Sequence, residues 1–210
     1  MKQQQSGFTL VEIAIVLVII GLLIGGVLKG QEIITNARVV NIENSFSGIS
    51  AAIFSYQDRY RALPGDDSKA DTRFTSITST ENGNGNGIIA GQFKSTTNTD
   101  ESRLFWLHLR NAGLVPGAIN PSDANAFEQP TNPYGGKVGI SSDATATKPT
   151  DVSGMYVGFA VIPGKIAQIL ETRSDDTQGD TGSIQALTNT GNNAVTTYNP
   201  VEIYDLFLTL

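Results

Sequence analysis

The chain has 210 residues, with 14 Lys and Arg against 20 Asp and Glu, and a formal net charge of −6. Such a surface repels phosphate backbones, so no nucleic-acid binding is expected of this chain alone. There is no Cys and a single His, which excludes a disulfide framework, thiolate zinc sites and any metal centre that needs several His. The length allows one membrane segment and one domain.

Residues 1–7 form a short polar leader carrying Lys2, and residues 8–28 are apolar apart from one acid, Glu12. A helix over 8–28 spans a hydrocarbon core of about 30 Å. A secretory signal is a rival reading, but its apolar core runs to only about 7–15 residues and ends at a small-residue cleavage site. Here the apolar run is longer, no Ala-x-Ala follows it, and the helical pattern continues. Glu12 needs its own account, because a carboxylate deep in a bilayer costs about 2.5–3.5 kcal/mol on insertion scales. In one reading it lies at the interface and stays hydrated. In the other the chain is cut after Gly7 and Glu12 falls in the first helical turn, where the helix dipole favours an acid. The new α-amine of an adjacent subunit is then its candidate partner.

Gly7-Phe8-Thr9-Leu10-Val11-Glu12 resembles the processing site of the type IV pilin and type II secretion pseudopilin family. The resemblance implies that a prepilin peptidase cuts between Gly7 and Phe8 and that Phe8 is N-methylated. It also implies that Glu12 pairs with a neighbour's N-terminus during assembly. Many members of the family carry a Pro in the membrane half of the helix. This chain has none before Pro64 and has Gly21, Gly25, Gly26 and Gly30 instead. Each Gly weakens a helix by about 1 kcal/mol relative to Ala. Two readings of these glycines stay open: sites of local unwinding during assembly, or Gly-x-x-x-Gly faces for close helix contact.

Beyond Lys29 the pattern turns amphipathic. Ile42, Phe46, Ile49, Ile53, Tyr56, Tyr60 and Leu63 recur in steps of three and four and mark one stripe of a helix. Pro64-Gly65-Asp66-Asp67 is its expected stop. The expected domains are therefore a leader (1–7), a transmembrane half-helix (8–28), an amphipathic half-helix (29–63) and a globular head (64–210). Unbroken, the helix from Phe8 to Leu63 would measure about 84 Å. A coiled coil is the competing reading, but the stripe lasts only about three heptads and lacks regular flanking charge pairs.

The head reads as α+β. Asn82–Gly87, alternating Asn and Gly, is turn material. A short strand is expected to begin at Ile88-Ile89. A helix is expected over Glu101–Ala112, with Leu104, Leu107 and Trp106 or His108 inward and Gly113 as its stop. Strands are expected over Gly136–Ile140, Met155–Ile162 and Val201–Leu208, a short helix over Ile166–Thr172, and loops over Ser141–Ser153 and Thr188–Asn199. The resemblance implies a pilin-like architecture, a long N-terminal helix packed against a small antiparallel sheet. Asn132-Pro-Tyr-Gly-Gly136, ahead of a strand, also resembles a stretch common in pilin-like proteins. The disulfide frequent near the family's C-terminus cannot form here, so packing or an ion must fix the last segment.

Two cation sites suggest themselves. Asn82, Asn84, Asn86 and Gly87 imitate the first half of an EF-hand loop, but the side chains are neutral amides and the twelfth position is Phe93. Asp66, Asp67 or Asp71 would have to supply the charge. Asp175, Asp176 and Asp180, interleaved with Gly179 and Gly182, suit an oxygen-ligated calcium better. Some pseudopilins bind calcium in C-terminal loops, and the resemblance adds weight to that reading here without putting it first. The plain alternative is an acidic turn whose Asp side chains bond backbone amides. Catalysis has little support. His108 lies in an apolar helical pattern, no Ser-His-Asp arrangement is apparent, and Pro163-Gly164-Lys165 lacks the spacing of a phosphate loop.

The expectation is a structural subunit, a prepilin of a type IV pilus or a type II pseudopilus, not an enzyme. It would reside in a bacterial inner membrane, in contact with lipid and with its head outside the cytoplasm. Its partners would be the prepilin peptidase, other pilin subunits and an assembly platform driven by an ATPase. The alternative is a membrane-anchored periplasmic binding or enzymatic domain that uses a pilin-like anchor.

Overall fold

The computed structural model describes residues 9–190 and 193–210. Gly7 and Phe8, with the rest of the leader, lie outside the described residues. The chain falls into two compact units, Met1–Val40 and Asn41–Leu210.

Helix α1 runs from Leu10 to Tyr60. Leu10, Leu17, Leu22 and Leu28 are all more than three-fifths exposed, and this stretch is long and apolar enough to cross a membrane. An exposed apolar surface of this kind needs lipid or other helices to cover it. Within the second unit α1 is amphipathic, as the stripe predicts. Ile42, Ile49, Ile53 and Tyr56 are buried, joined by Ala52, while Phe54 on the far side is exposed. Phe46 and Tyr60, at the edges of the stripe, are half-buried.

The helix ends at Tyr60 rather than at Leu63. Arg61 turns to φ 55° and its amide still bonds the Gln57 carbonyl at 2.8 Å. That is the left-handed cap usually made by Gly, so the stop precedes Pro64 by one turn. The next segment holds a single helical turn, α2 (Ala70–Arg73).

Helix α3 (Glu101–Asn111) is buried at every position from Glu101 to Arg110. The expected inward face is therefore a helix enclosed on all sides. Its polar groups meet that condition by bonding main chain: Arg110 donates to the carbonyls of Asn125, Ala126 and Glu128. The sheet is four-stranded, in the order β1-β2-β4-β3. It comprises β1 (Val138–Ser141), β2 (Tyr156–Pro163), β3 (Ile184–Thr188) and β4 (Ile203–Thr209), every pair antiparallel. Helix α4 (Gly164–Ser174) connects β2 to β3. The architecture is α+β and pilin-like, a long apolar N-terminal helix with a small antiparallel sheet.

Ile88-Ile89 is not a strand. Ile89 is fully buried, and its amide and carbonyl bond the hydroxyl and amide of Ser142 without forming a ladder. Strand β3 is bounded by turn residues at Gly182 and Asn189 but has no long β-branched run to announce it. The pairing of Ile184 with Leu208 and of Ala186 with Leu206 creates it.

The Asn132–Gly136 turn has a visible job. Asn132 accepts from the amides of Tyr134 and Gly136, and its amide nitrogen donates to the Ala160 carbonyl at 2.6 Å. That carbonyl precedes a bulge in β2, where register shifts between Phe159 and Ile162 and Val161 adopts φ 60°. A Cβ on Gly136 would lie 1.8 Å from the same carbonyl, so only Gly lets the turn approach.

Candidate functional site

The N-terminal end of α1 is held by its own residues. Thr9 precedes the first helical residue and Glu12 is the third residue of the helix. The Thr9 amide and hydroxyl donate to Glu12 Oε2 at 2.8 and 2.7 Å. The Glu12 amide approaches Thr9 Oγ1 at 3.3 Å. This is a reciprocal capping box, and Thr9-x-x-Glu12 is its sequence signature. The helix dipole alone accounts for Glu12 in the first turn, and Thr9 is the partner that the dipole does not announce. The cap engages Oε2 alone, which leaves Oε1 without a partner among the described residues. Gly21, Gly25, Gly26 and Gly30 have open space where a Cβ would stand.

In the head, the Asn82–Gly87 loop closes around a carboxylate. Asp66 accepts from the amides of Gly85, Asn86 and Gly87 at 2.6, 3.0 and 2.7 Å. The Asn side chains are turned to the main chain as well. Asn82 accepts from the Asp71 amide, Asn84 from Asn86 and Asn86 from Ile88. Asp67, almost fully buried, receives the Tyr56 hydroxyl at 2.7 Å, the Lys69 amide and the Arg73 guanidinium. These oxygens are already spent, and the EF-hand-like reading fails for that reason. Asp66 and Asp67, suggested to complete the site, are taken up in this way, and Asp71 enters the corner through its backbone amide.

His108 is part of the same corner. It is fully buried and its ring stacks on Tyr56, centroids 6.4 Å apart. Nδ1 accepts from the Gly65 amide at 2.9 Å and Nε2 meets the Glu81 carbonyl at 2.8 Å. Both nitrogens tie loops together in a neutral ring, and burial pushes its pKa below the usual value. The histidine is a structural pin.

The C-terminal acidic cluster is composed differently from the expected one. Glu171, Asp175 and Asp176 bring carboxylate oxygens within 4.8 Å of one another. Asp180 is outside that group, with Oδ2 accepting from the Thr196 hydroxyl at 3.1 Å. Glu171 replaces it because α4 continues to Ser174 and sets Glu171 one turn before Asp175. The i, i+4 spacing was the available signal, hidden by an expected helix end at Thr172.

Asp175 accepts from the Ile184 amide at 2.6 Å, and Asp176 from the Gln178 amide and the Thr181 hydroxyl. Glu171 is fully buried. Its Oε1 receives the Tyr198 hydroxyl at 2.6 Å, while Oε2 has no partner among the described residues. Burial raises its pKa to about 7, against the relief that the Tyr198 bond gives, and the negative charges of Asp175 and Asp176 add to the rise. Three oxygens from one helix end and its following turn suit a hard cation that prefers oxygen.

No curated protein and no solved structure matches the chain. Residues 2–28 match the model of the prokaryotic N-terminal methylation motif, and the chain thus carries the N-terminal signal of type IV pilins and pseudopilins.

Proposed function

We propose that this chain is a prepilin-like structural subunit, cut between Gly7 and Phe8, N-methylated at Phe8 and built into a type IV pilus or type II pseudopilus through α1. The observation that carries this reading is the methylation-motif match over residues 2–28. The capped helix start and the exposed apolar surface of residues 10–28 support it. The apolar helix stores the subunit in the inner membrane with the head outside the cytoplasm. The prepilin peptidase removes the leader, and an assembly platform and its ATPase supply the work that this chain has no nucleotide site to supply. In the filament Glu12 keeps its Thr9 bonds through Oε2 and offers Oε1 to the Phe8 amine of a neighbour, an ion pair strengthened by the low dielectric around it.

Intact mass of the protein from its own host tests the processing. Loss of residues 1–7 with one added methyl group is expected, whereas an intact Met1 rejects the reading and favours a tethered binding or enzymatic head. The pairing has a sharper test. Glu12→Ala should insert into membranes but fail to enter filaments. Thr9→Ala removes the cap and keeps the charge, so it should still assemble. Equal behaviour of the two variants would leave only the capping role.

A second property of the head rests on the bare Oε2 of Glu171. We propose that Glu171, Asp175 and Asp176 hold a calcium ion that fixes the turn after α4, with Asp180 outside the ligand set. Melting of the full chain in detergent should rise with calcium, and Glu171→Gln should abolish the rise. A flat response at millimolar calcium removes the site.

A further inference from the structure

The end of α1 borders a polar cavity of about 610 Å³, within the size range of small-ligand sites. Its wall includes Gln57, Tyr60, Arg61, Asp66, Lys69 and Arg73. The two acids of the wall are closed. Asp66 is occupied by three backbone amides, and Asp67 beside it by Tyr56, the Lys69 amide and Arg73. Arg73 is tied down by Asp67 and by the Tyr60 carbonyl at 3.2 Å. What the wall leaves open is cationic. The Lys69 ammonium has no acceptor among the described residues. Arg61 has only Asp58 at 3.7 Å, with both side chains more than four-fifths exposed, a pair that water weakens to little.

Arg61 carries the argument furthest. It occupies a left-handed cap at φ 55° where Gly would sit without strain and where a side chain is disfavoured. A guanidinium is therefore held at the cavity rim against the preference of its own backbone. Strain of this kind gathers where a side chain has a task. On a chain of net charge −6, cations must be grouped locally if an anion is to be held at all.

We infer that this cavity binds a small anionic ligand, its carboxylate or phosphate oxygens received by Arg61 and Lys69 with Gln57 donating beside them. A guanidinium and an ammonium together suit such an oxyanion group. The cavity shares no lining residue with the processing segment or with the Glu171 cluster, and its binding does not depend on filament assembly.

The test is thermal melting and calorimetric titration of the full chain in detergent. The probes are sodium phosphate and sodium glucuronate, each against sodium chloride at equal ionic strength. Melting should rise with at least one probe. Phosphate alone would identify a phosphoryl ligand, glucuronate alone a sugar acid, and either outcome supports the site. Arg61→Gly should melt as high as the parent or higher without ligand, because the strain is gone. It should nevertheless bind the active probe about tenfold more weakly, the loss of one charge-assisted contact. Lys69→Gln should weaken binding similarly. The inference falls if neither probe exceeds chloride, or if both variants bind as the parent does.

Discussion

At one corner of the head Asp66 and Glu101 give their oxygens to main-chain amides; at another, Glu171 is buried as deeply and keeps one oxygen bare. Asp66 receives three amides of the Asn82–Gly87 loop, and Glu101 receives those of Asn84 and Ala90, both at 2.9 Å. These carboxylates act as the organising centre of a loop with no ladder of its own, each amide answering part of the cost of burial. Glu171 has one hydroxyl, from Tyr198, and two acidic neighbours. A closed carboxylate builds structure. A half-open one is held at a cost that a proton or a cation can relieve. The contrast separates acids of the same burial into scaffold and candidate site, which neither spacing nor charge count could do.

The strongest way to break the comparison is Asp66→Ala. Three amides lose a charged acceptor at once, so we expect a loss of about 3–5 kcal/mol in stability, measured by denaturant unfolding of the full chain in detergent. A loss under about 1 kcal/mol would mean that water replaces the carboxylate and that the corner is not closed. Next in size is Gly182→Ala at the open corner. Gly182 has φ 75°, and its Cβ would stand 2.3 Å from an Asp175 oxygen. Strain and displacement of the carboxylate together should cost about 2–3 kcal/mol, and the calcium response should vanish with them. Survival of that response would place the cation elsewhere.

The parts of this molecule written in local pattern were legible. The apolar run of α1, the stripe Ile42, Ile49, Ile53 and Tyr56, and helix α3 follow from periodicity. The Asn132–Gly136 stretch stood out only by its resemblance to pilin-like proteins, and its role as a turn came from the hydrogen bonds of Asn132. Three features escaped, each for a physical reason. The end of α1 at Tyr60 depends on Arg61 taking a backbone conformation that its residue type disfavours, so no sequence signal marks it. Strand β3 exists because β4 is beside it, and pairing across that distance is invisible in a five-residue window. Glu171 joined Asp175 and Asp176 because α4 runs on to Ser174. Thr9 was the one miss with a clear signal, since the capping-box spacing stands in the sequence.

The smallest effect is the most diagnostic, because Glu171 and His108 should answer pH in opposite senses. Glu171 has a folded pKa of about 7 against an ordinary value of 4.5. The folded state therefore keeps a proton that the unfolded chain releases, and the stabilisation is complete below 4.5 and lost as pH rises through about 7. His108 has its pKa lowered from 6.5 by burial. The unfolded chain takes up a proton that the folded ring refuses, so its contribution is intact above 6.5 and falls as pH drops below that value. Between 4.5 and 6.5 the two slopes oppose, and stability of the parent should change little there on their account. Glu171→Gln removes one slope. The variant should gain about 1–2 kcal/mol over the parent at pH 8 and lose stability on acidification below 6.5, where the parent is level. Calcium should mimic the variant only when Glu171 is deprotonated, because a carboxylate must lose its proton to ligate. The calcium-induced rise in melting should therefore be larger at pH 8 than at pH 6. An equal rise at both would detach the cation from Glu171, even if the titration of Glu171 itself were correct.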